Sequence, residues 1–261
     1  MDFDGKIALV TGAGSGIGRA AAEELARRGA EVAVVGHSPD SAREVVDGIR
    51  DAGGVAEPYA AELSEPGEVE ELFRQVGQRW NRLDVVVANA GINGVWAPLE
   101  ELTADEWSHT IAVNLTGTFL TVKHALGLLK AAGGGAVVIT SSVNGTRVFS
   151  NSGASAYSSS KAGQVAFAKM AAVELARHRI RVNVICPGAI DTEIDDNTEQ
   201  RGTDDLHPPV EYPRGQIPLT GEQPGSSAQV ADLVCFLSSD AASHITGTEV
   251  WIDGAQSLLV G

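Results

Sequence analysis

Apolar residues along this chain gather into short runs separated by amphipathic, helix-like segments. The runs are KIALV (6–10), EVAVV (31–35), VAEPYA (55–60), DVVVAN (84–89), AVVIT (136–140), RVNVI (181–185) and EVWI (249–252). Strand-like runs alternating with helical segments from end to end predict a parallel sheet with helices on both faces. Pro58 makes VAEPYA the weakest of these strands, because proline cannot donate to a ladder.

The helical segments carry readable ends. RAAAEELARRG finishes at Gly29, a residue type that stops helices, and TADEW opens one with Thr103 and Glu106 at capping-box spacing. No internal repeat or linker divides the chain, so residues 1–261 are expected to form a single domain. The exception to regularity is 191–229, acidic in DTEIDDNTEQRGTDD and rich in Pro and Gly in HPPVEYPRGQIPLTGEQPG. Long irregular stretches inside compact domains are often lids, and this one is expected to be a mobile flap with short helices over a site.

Composition narrows the function classes. The length of 261 residues suffices for a large core, and no apolar run approaches the roughly 18–20 residues of a membrane-spanning helix. The acidic start MDFDGKIALV lacks the basic character of a signal peptide, which points to a cytoplasmic protein. A net charge of -15 opposes binding to a phosphate backbone, so neither nucleic acid nor membrane is an expected partner. Cys186 and Cys235 sit in apolar surroundings and read as buried, reduced thiols. No metal site is expected.

The stretch VTGAGSGIGRAAAEEL places Gly12, Gly14, Gly16 and Gly18 between the first strand and the first helix, where backbone amides and missing side chains suit a pyrophosphate. No register satisfies G-x-G-x-x-G. The pattern present is T-G-x-x-x-G-x-G at Thr11, Gly12, Gly16 and Gly18. Further along come Asn89-Ala-Gly91, Asn114 inside a helical segment, Ser142 followed by Gly145 at the end of the fifth main run, and Tyr157 four residues before Lys161. Taken in this order, these residues resemble the classical short-chain dehydrogenase/reductase family over nearly the whole chain, through ICPGAIDT (185–192) and the closing TGTEVWIDGA.

That resemblance implies a Rossmann-type, doubly wound α/β fold with a mainly seven-stranded parallel sheet and helices on both faces. It also implies a nicotinamide dinucleotide cofactor, held by Gly12, Ser15, Gly16, Ile17, Gly18, Glu62, Leu63, Asn89, Gly91, Tyr157, Lys161, Pro187, Gly188, Ile190 and Thr192. In dinucleotide folds an acidic residue ending the second strand bonds the ribose 2′-hydroxyl. Here that position is Gly36, and His37 and Ser38 follow it, so NADP(H) is favoured and NAD(H) remains possible. Glu62 stands where the family has aspartate against the adenine.

By resemblance, Asn114, Ser142, Tyr157 and Lys161 form the catalytic set. Tyr157 exchanges the proton with substrate, Ser142 bonds the substrate oxygen, Lys161 lowers the tyrosine pKa, and Asn114 positions a water that passes protons onward. The physics is adequate: bringing a tyrosine from a pKa near 10 to neutrality requires roughly 4 kcal/mol. An ammonium about 4 Å away contributes on the order of 4 kcal/mol at an effective dielectric of about 20. Ser142 and Tyr157 are 15 positions apart, two more than is typical of the family, which makes the intervening loop this chain's own.

Candidate substrate-binding residues are Asn93, Trp96, Ser142, Asn144, Phe149, Asn151 and Tyr157, a mixture of aromatic and amide groups suited to a small carbonyl compound or alcohol. The implied function is hydride transfer between nicotinamide and a carbonyl or secondary alcohol. A ketoacyl thioester reductase is the alternative, and a non-catalytic nucleotide-binding regulator a more distant one. The epimerase and enoyl reductase branches of the superfamily differ in glycine pattern or in Tyr–Lys spacing. The resemblance further implies a homotetramer, built through the helices carrying Asn114 and Tyr157 and through the C-terminal segment.

Overall fold

The computed structural model describes residues 3–192, 194, 198–203, 206 and 216–259. In the first half of the chain β1 (Ile7–Thr11), α1 (Gly16–Arg27), β2 (Glu31–Gly36), α2 (Pro39–Asp51), β3 (Val55–Ala60), α3 (Pro66–Trp80) and β4 (Val85–Ala88) alternate. A short β5 (Gly94–Trp96) and α4 (Ala104–Ile111) lead through a π-helical turn, Ala112–Thr116, into α5 (Gly117–Ala131). There follow β6 (Gly135–Thr140), α6 (Ser155–Leu175) and β7 (Ile180–Pro187). Three short strands, β8 (Ile190–Asp191), β9 (Thr198–Gln200) and β10 (Gly225–Ser226), precede α7 (Ser227–Ser238) and β11 (Glu249–Ile252).

The main sheet has the order β11-β7-β6-β4-β1-β2-β3, and its seven strands are the seven apolar runs. Every ladder in it is parallel. β3, the run containing Pro58, is an edge strand, where a missing donor leaves no neighbour unpaired. Side chains alternate between two cores, as the two-residue period of a strand requires. Val10, Val34 and Val87 pack with α1, α2 and α7. Leu9, Val35 and Val86 pack with α3, α5 and α6 on the other face.

Local chemistry fixes the helix ends. Gly29, at φ +100°, turns the chain after α1, and Asn81, at φ 54°, ends α3 in the left-handed region. Thr103 and Glu106 form the reciprocal capping box at the start of α4. Ser226 and Gln229 form another, so α7 starts within the stretch read as flap. The described part of that stretch is tied down by short parallel ladders, β9 on β5 and β10 on β8. Its residues 193, 195–197, 204–205 and 207–215 lie outside the described residues.

β1 and β4 are neighbours from which the chain winds in opposite directions, and a ligand crevice forms at such a switch point beyond the carboxyl ends of the strands. The glycine turn follows β1, and Asn89-Ala-Gly91 follows β4.

Candidate active site

The carboxyl ends of β1, β4, β6 and β7 open onto a cleft of about 2120 Å³. At one end lies the turn between β1 and α1. Thr11 Oγ1 accepts from the backbone N–H groups of Asn89 (3.1 Å) and Ala90 (3.2 Å), and Asn89 Nδ2 donates back to the Thr11 and Gly12 carbonyls. Of the glycines in this turn, Gly18 has the tightest surroundings: a Cβ there would press into the Gly12 carbonyl oxygen and lie 2.6 Å from Asn89 Nδ2. Gly18 therefore brings α1 onto the turn without lining the cleft, whereas Gly12, Ser15, Gly16 and Ile17 do line it.

Ser15 is the N-cap of α1 and makes no capping bond with its side chain, so the helix N-terminus presents uncapped amides beside the cleft. An anion placed there satisfies those donors and the helix dipole. The residues present thus fit a dinucleotide pyrophosphate. Thr192 closes over the turn, its Cβ and Cγ2 each 3.3 Å from where a Gly16 Cβ would be, and Pro187, Gly188 and Ile190 line the adjoining wall.

Beyond β2 and β3 the cleft is bounded by Gly36, His37, Glu62 and Leu63. Burial opposes the charge of Glu62, but two hydrogen bonds from Ser64 to its Oε1 hold the carboxyl below its ordinary range. His37 Nδ1 lies 3.4 Å from Glu62 Oε2. Ser38 departs from expectation: it caps α2 and does not line the cleft, and Ser41, three residues on, lines it instead. Arg19 also faces this end, bound to Glu23 and Glu44 at 2.9 Å each.

The centre of the cleft is built on β6 and α6. Ser141 Oγ donates to the Lys161 carbonyl at 2.8 Å, and Lys161 Nζ donates to the Thr140 carbonyl at 3.1 Å, so strand end and helix are bonded twice. Lys161 is buried, and desolvation brings its ammonium down to about 8. Its Nζ lies 5.5 Å from the centre of the Tyr157 ring, one helical turn away. Ser142 Oγ accepts from the Asn144 backbone N–H at 3.1 Å, which directs its own proton elsewhere. Tyr157, Ser142 and Lys161 all line the cleft.

Asn114 sits apart from the cleft, fully buried in the π-helical turn. Its Oδ1 accepts from Ile92 N (2.8 Å), and its Nδ2 donates to the Ile92 carbonyl (2.9 Å) and to Ser160 Oγ (3.0 Å). Its own carbonyl accepts from Thr118 Oγ1 and from the buried Gln164 Nε2.

The family model described as enoyl-(acyl carrier protein) reductase matches residues 12–255. The chain belongs to the short-chain dehydrogenase/reductase family. It is 39% identical over 254 residues to a cis-4-hydroxycyclohexanecarboxylate dehydrogenase of Sinomonas cyclohexanicum, covering 97% of this chain and 96% of that one. A levodione reductase of Leifsonia aquatica is 35% identical over 98% of this chain and 95% of its own. Among solved structures, one described as a 3-ketoacyl-ACP reductase from Sinorhizobium meliloti 1021 superposes with a TM-score of 0.93 at 51% identity, over 97% of this chain and 99% of that one. This short-chain dehydrogenase/reductase is a nucleotide-dependent oxidoreductase acting on a carbonyl or alcohol group.

Of the substrate-side residues in this dehydrogenase/reductase, Asn93, Trp96, Asn144 and Asn151 line the cleft around Tyr157, with the Trp96 and Tyr157 ring centres 6.4 Å apart. Phe149 does not: it is 73% exposed and points away from the lining. The turn before it explains this, since the backbone N–H groups of Thr146, Arg147 and Val148 all donate to the Val143 carbonyl and swing the next residue outward. Ser41 and His109, not among the expected site residues, also line the cleft, as do Gln200, Thr203 and Leu206 of the 191–229 stretch expected over a site. Ser41 was readable, because Ser38-Pro39 is a helix start that places residue 41 one turn in. His109 reaches the cleft through tertiary packing, with no local signal.

Proposed function

We propose that this enzyme interconverts a small ketone and its secondary alcohol, with Tyr157, Ser142 and Lys161 as the residues at the reacting carbonyl. The observation that carries this reading is that all three line one cleft with the uncapped start of α1. Bound along Gly12, Ser15, Gly16, Ile17, Asn89, Gly91 and the 187–192 wall, a nicotinamide dinucleotide would supply or take up the hydride. Tyr157 gives its proton to the substrate oxygen in reduction and removes it in oxidation. Ser142, whose Oγ already accepts a bond from Asn144, donates to the same oxygen and stabilises its developing charge. Lys161, while charged, favours the Tyr157 phenolate.

Gly91 supports a place for Asn114 in proton transfer. The point where a Gly91 Cβ would lie is 3.2 Å from both Asn114 Oδ1 and Lys161 Nζ, so the two polar atoms approach one point beside Gly91. A water bridging them through the remaining Oδ1 lone pair would carry the proton onward from the lysine.

For the cofactor, Gly36 supports NADP(H) over NAD(H), because the end of β2 carries no carboxylate to repel a 2′-phosphate, while His37, Ser41 and Arg19 are near. Glu62 and Glu44 already pair with His37 and Arg19, so the preference is small, a few-fold. The helices with Asn114 and Tyr157 expose Phe119, Met170 and Val173, and the C-terminal segment exposes Leu258, which supports burial against further copies of the chain as a homotetramer. The names of the relatives support a cyclic alcohol or ketone as substrate and keep a ketoacyl thioester in view.

Loss of reduced-nicotinamide absorbance with a panel of cyclic ketones and a ketoacyl thioester tests the reading. Turnover of a ketone is expected, and absence of turnover with every carbonyl overturns it. Thermal-shift titration should show tighter binding of NADPH than of NADH, and an equal or reversed order removes the cofactor preference.

A further inference from the structure

The substrate end of the cleft holds a polar element that the reacting carbonyl does not use. Asn144 is about nine-tenths buried and lines the cleft two residues from Ser142. Its Oδ1 accepts from Asn151 Nδ2 at 2.8 Å, which fixes the amide so that its own Nδ2 is the group left over. Among the described residues this Nδ2 has no hydrogen-bond partner, and it is not one of the buried atoms closed off from solvent, so its N–H groups are open to a ligand in the cleft. Asn151, at the exposed rim, has its carbonyl oxygen to offer beside it, so the pair presents both a donor and an acceptor.

The turn that carries Asn144 is held by several bonds. Three backbone N–H groups converge on the Val143 carbonyl, Thr146 Oγ1 donates to the Ser142 carbonyl at 2.7 Å, and the Arg147 guanidinium stacks 3.6 Å over the Trp251 ring. The turn belongs to the Ser142–Tyr157 loop that carries two extra residues. Around the pair lie Trp96, Val148, Ser152, Thr203 and Leu206. Among the described lining residues no lysine or arginine joins them: Arg19 is at the α1 end and Lys161 is buried beneath Tyr157.

We propose that the Asn144–Asn151 pair recognises a second, uncharged oxygen of the substrate, so that the preferred substrates are cyclic hydroxyketones and diones with their diols. This rests on the ketone–alcohol reading above and adds the substrate class. Two residues of chain separate the donor from Ser142, a span of at most about 7 Å between their Cα atoms, which suits two oxygens on one small ring and not the ends of a long acyl chain. A carboxylate in place of the second oxygen would meet no described cation there and would face the Asn151 carbonyl. In reduction the carbonyl carbon accepts hydride from the reduced nicotinamide and the oxygen accepts the Tyr157 proton, giving a secondary alcohol. The second oxygen is unchanged throughout.

The test compares kcat/KM for cyclohexanone, 4-hydroxycyclohexanone, 4-oxocyclohexanecarboxylate and an acetoacetyl thioester, in the wild type, Asn144→Leu and Asn151→Ala, with NADPH binding measured to certify each fold. In the wild type 4-hydroxycyclohexanone should exceed cyclohexanone by about tenfold, mainly through KM, with the carboxylate below both and the thioester lowest. Asn144→Leu should bring the ratio of the two ketones to about one, and Asn151→Ala should lower it partway. A wild-type ratio near one, an unchanged ratio in Asn144→Leu, or the thioester as the best substrate would overturn the proposal while leaving the ketone–alcohol reading standing. If none of the four is reduced, that reading falls and the proposal falls with it.

Discussion

The two ends of the cleft are made of different materials. Around the start of α1 the lining is mostly backbone, held by close approaches that only glycine permits and by Asn89 bonding the turn on itself. Around Tyr157 the lining is side chains, brought together from β5, the Ser142–Tyr157 loop and β9, and held by bonds between residues far apart in sequence. A backbone site is intolerant of added atoms and indifferent to side-chain chemistry. A side-chain site can be re-specified one residue at a time, which suits an enzyme fold that keeps one cofactor class and changes substrate.

The sharpest separation of the two ends comes from Tyr157→Phe. The change removes the proposed proton donor and leaves the packing against Trp96, so turnover should fall by about a thousandfold while NADPH still raises the melting temperature as in the wild type. Turnover within threefold of the wild type would mean that the proton comes from elsewhere.

Gly18→Ala attacks the other end. The added methyl has no room between the Gly12 carbonyl and Asn89 Nδ2, neither of which can move without opening the turn, so a loss of about 3 kcal/mol in urea unfolding is expected, with weakened nucleotide binding. Gly14→Ala is the control. Its Cβ would lie 2.7 Å from Ser41 Oγ and 2.9 Å from Ser41 Cβ, a shallower intrusion at the start of α2, and should cost less, about 1–2 kcal/mol. Equal losses in the two variants would contradict the account of the turn.

The same contrast governs what could be read before the structure. Thr11, Gly12, Gly16 and Gly18 act within eight residues of one another, and Tyr157 and Lys161 within one helical turn, so spacing alone displays their geometry. The capping box at Thr103 and the edge placement of Pro58 are likewise local consequences of residue type. Asn114 is marked by its place inside a helical segment and by the family resemblance, but its π-helical setting and its bond to Gln164, 50 residues on, are tertiary facts. Phe149 and Ser38 were misplaced for the same reason. Each lies next to residues that line the cleft, and a turn or a cap, set by hydrogen bonds to neighbouring backbone, decides which side of the chain faces inward.

Lys161 links the two ends and gives the pH prediction. Burial removes water from the ammonium and favours its neutral form, so the group is charged below about pH 8 and neutral above it. In the mechanism we propose, carbonyl reduction needs that charge beside Tyr157. The rate at saturating substrate should therefore hold steady below about pH 8 and decline above it, by about tenfold per further pH unit. Lys161→Ala should show a low rate with that limb missing. A wild-type profile flat to pH 10 would show that the ammonium is not the group on which reduction depends.

The smallest expected effect lies at the outer wall of the substrate end. Arg201, just after β9, grips the Glu106 carboxylate with bonds of 2.9 and 3.0 Å and donates to the Glu101 carbonyl at 2.8 Å. That grip holds the Glu106 carboxyl down to about 2. Glu106 also caps α4, so two duties meet in one side chain, and Glu106→Gln separates them by keeping the bond to the Thr103 N–H while removing the charge. Both groups are partly solvated, so this single ion pair contributes little. Since β9 contributes Gln200 to the cleft wall, Arg201→Gln and Glu106→Gln should each raise the substrate KM about threefold, with kcat and nucleotide binding unchanged and the effect shrinking in the wild type as salt is added. A fall in kcat instead would place this pair in the chemistry of the site and would erase the division between a fixed nucleotide end and an adjustable substrate end.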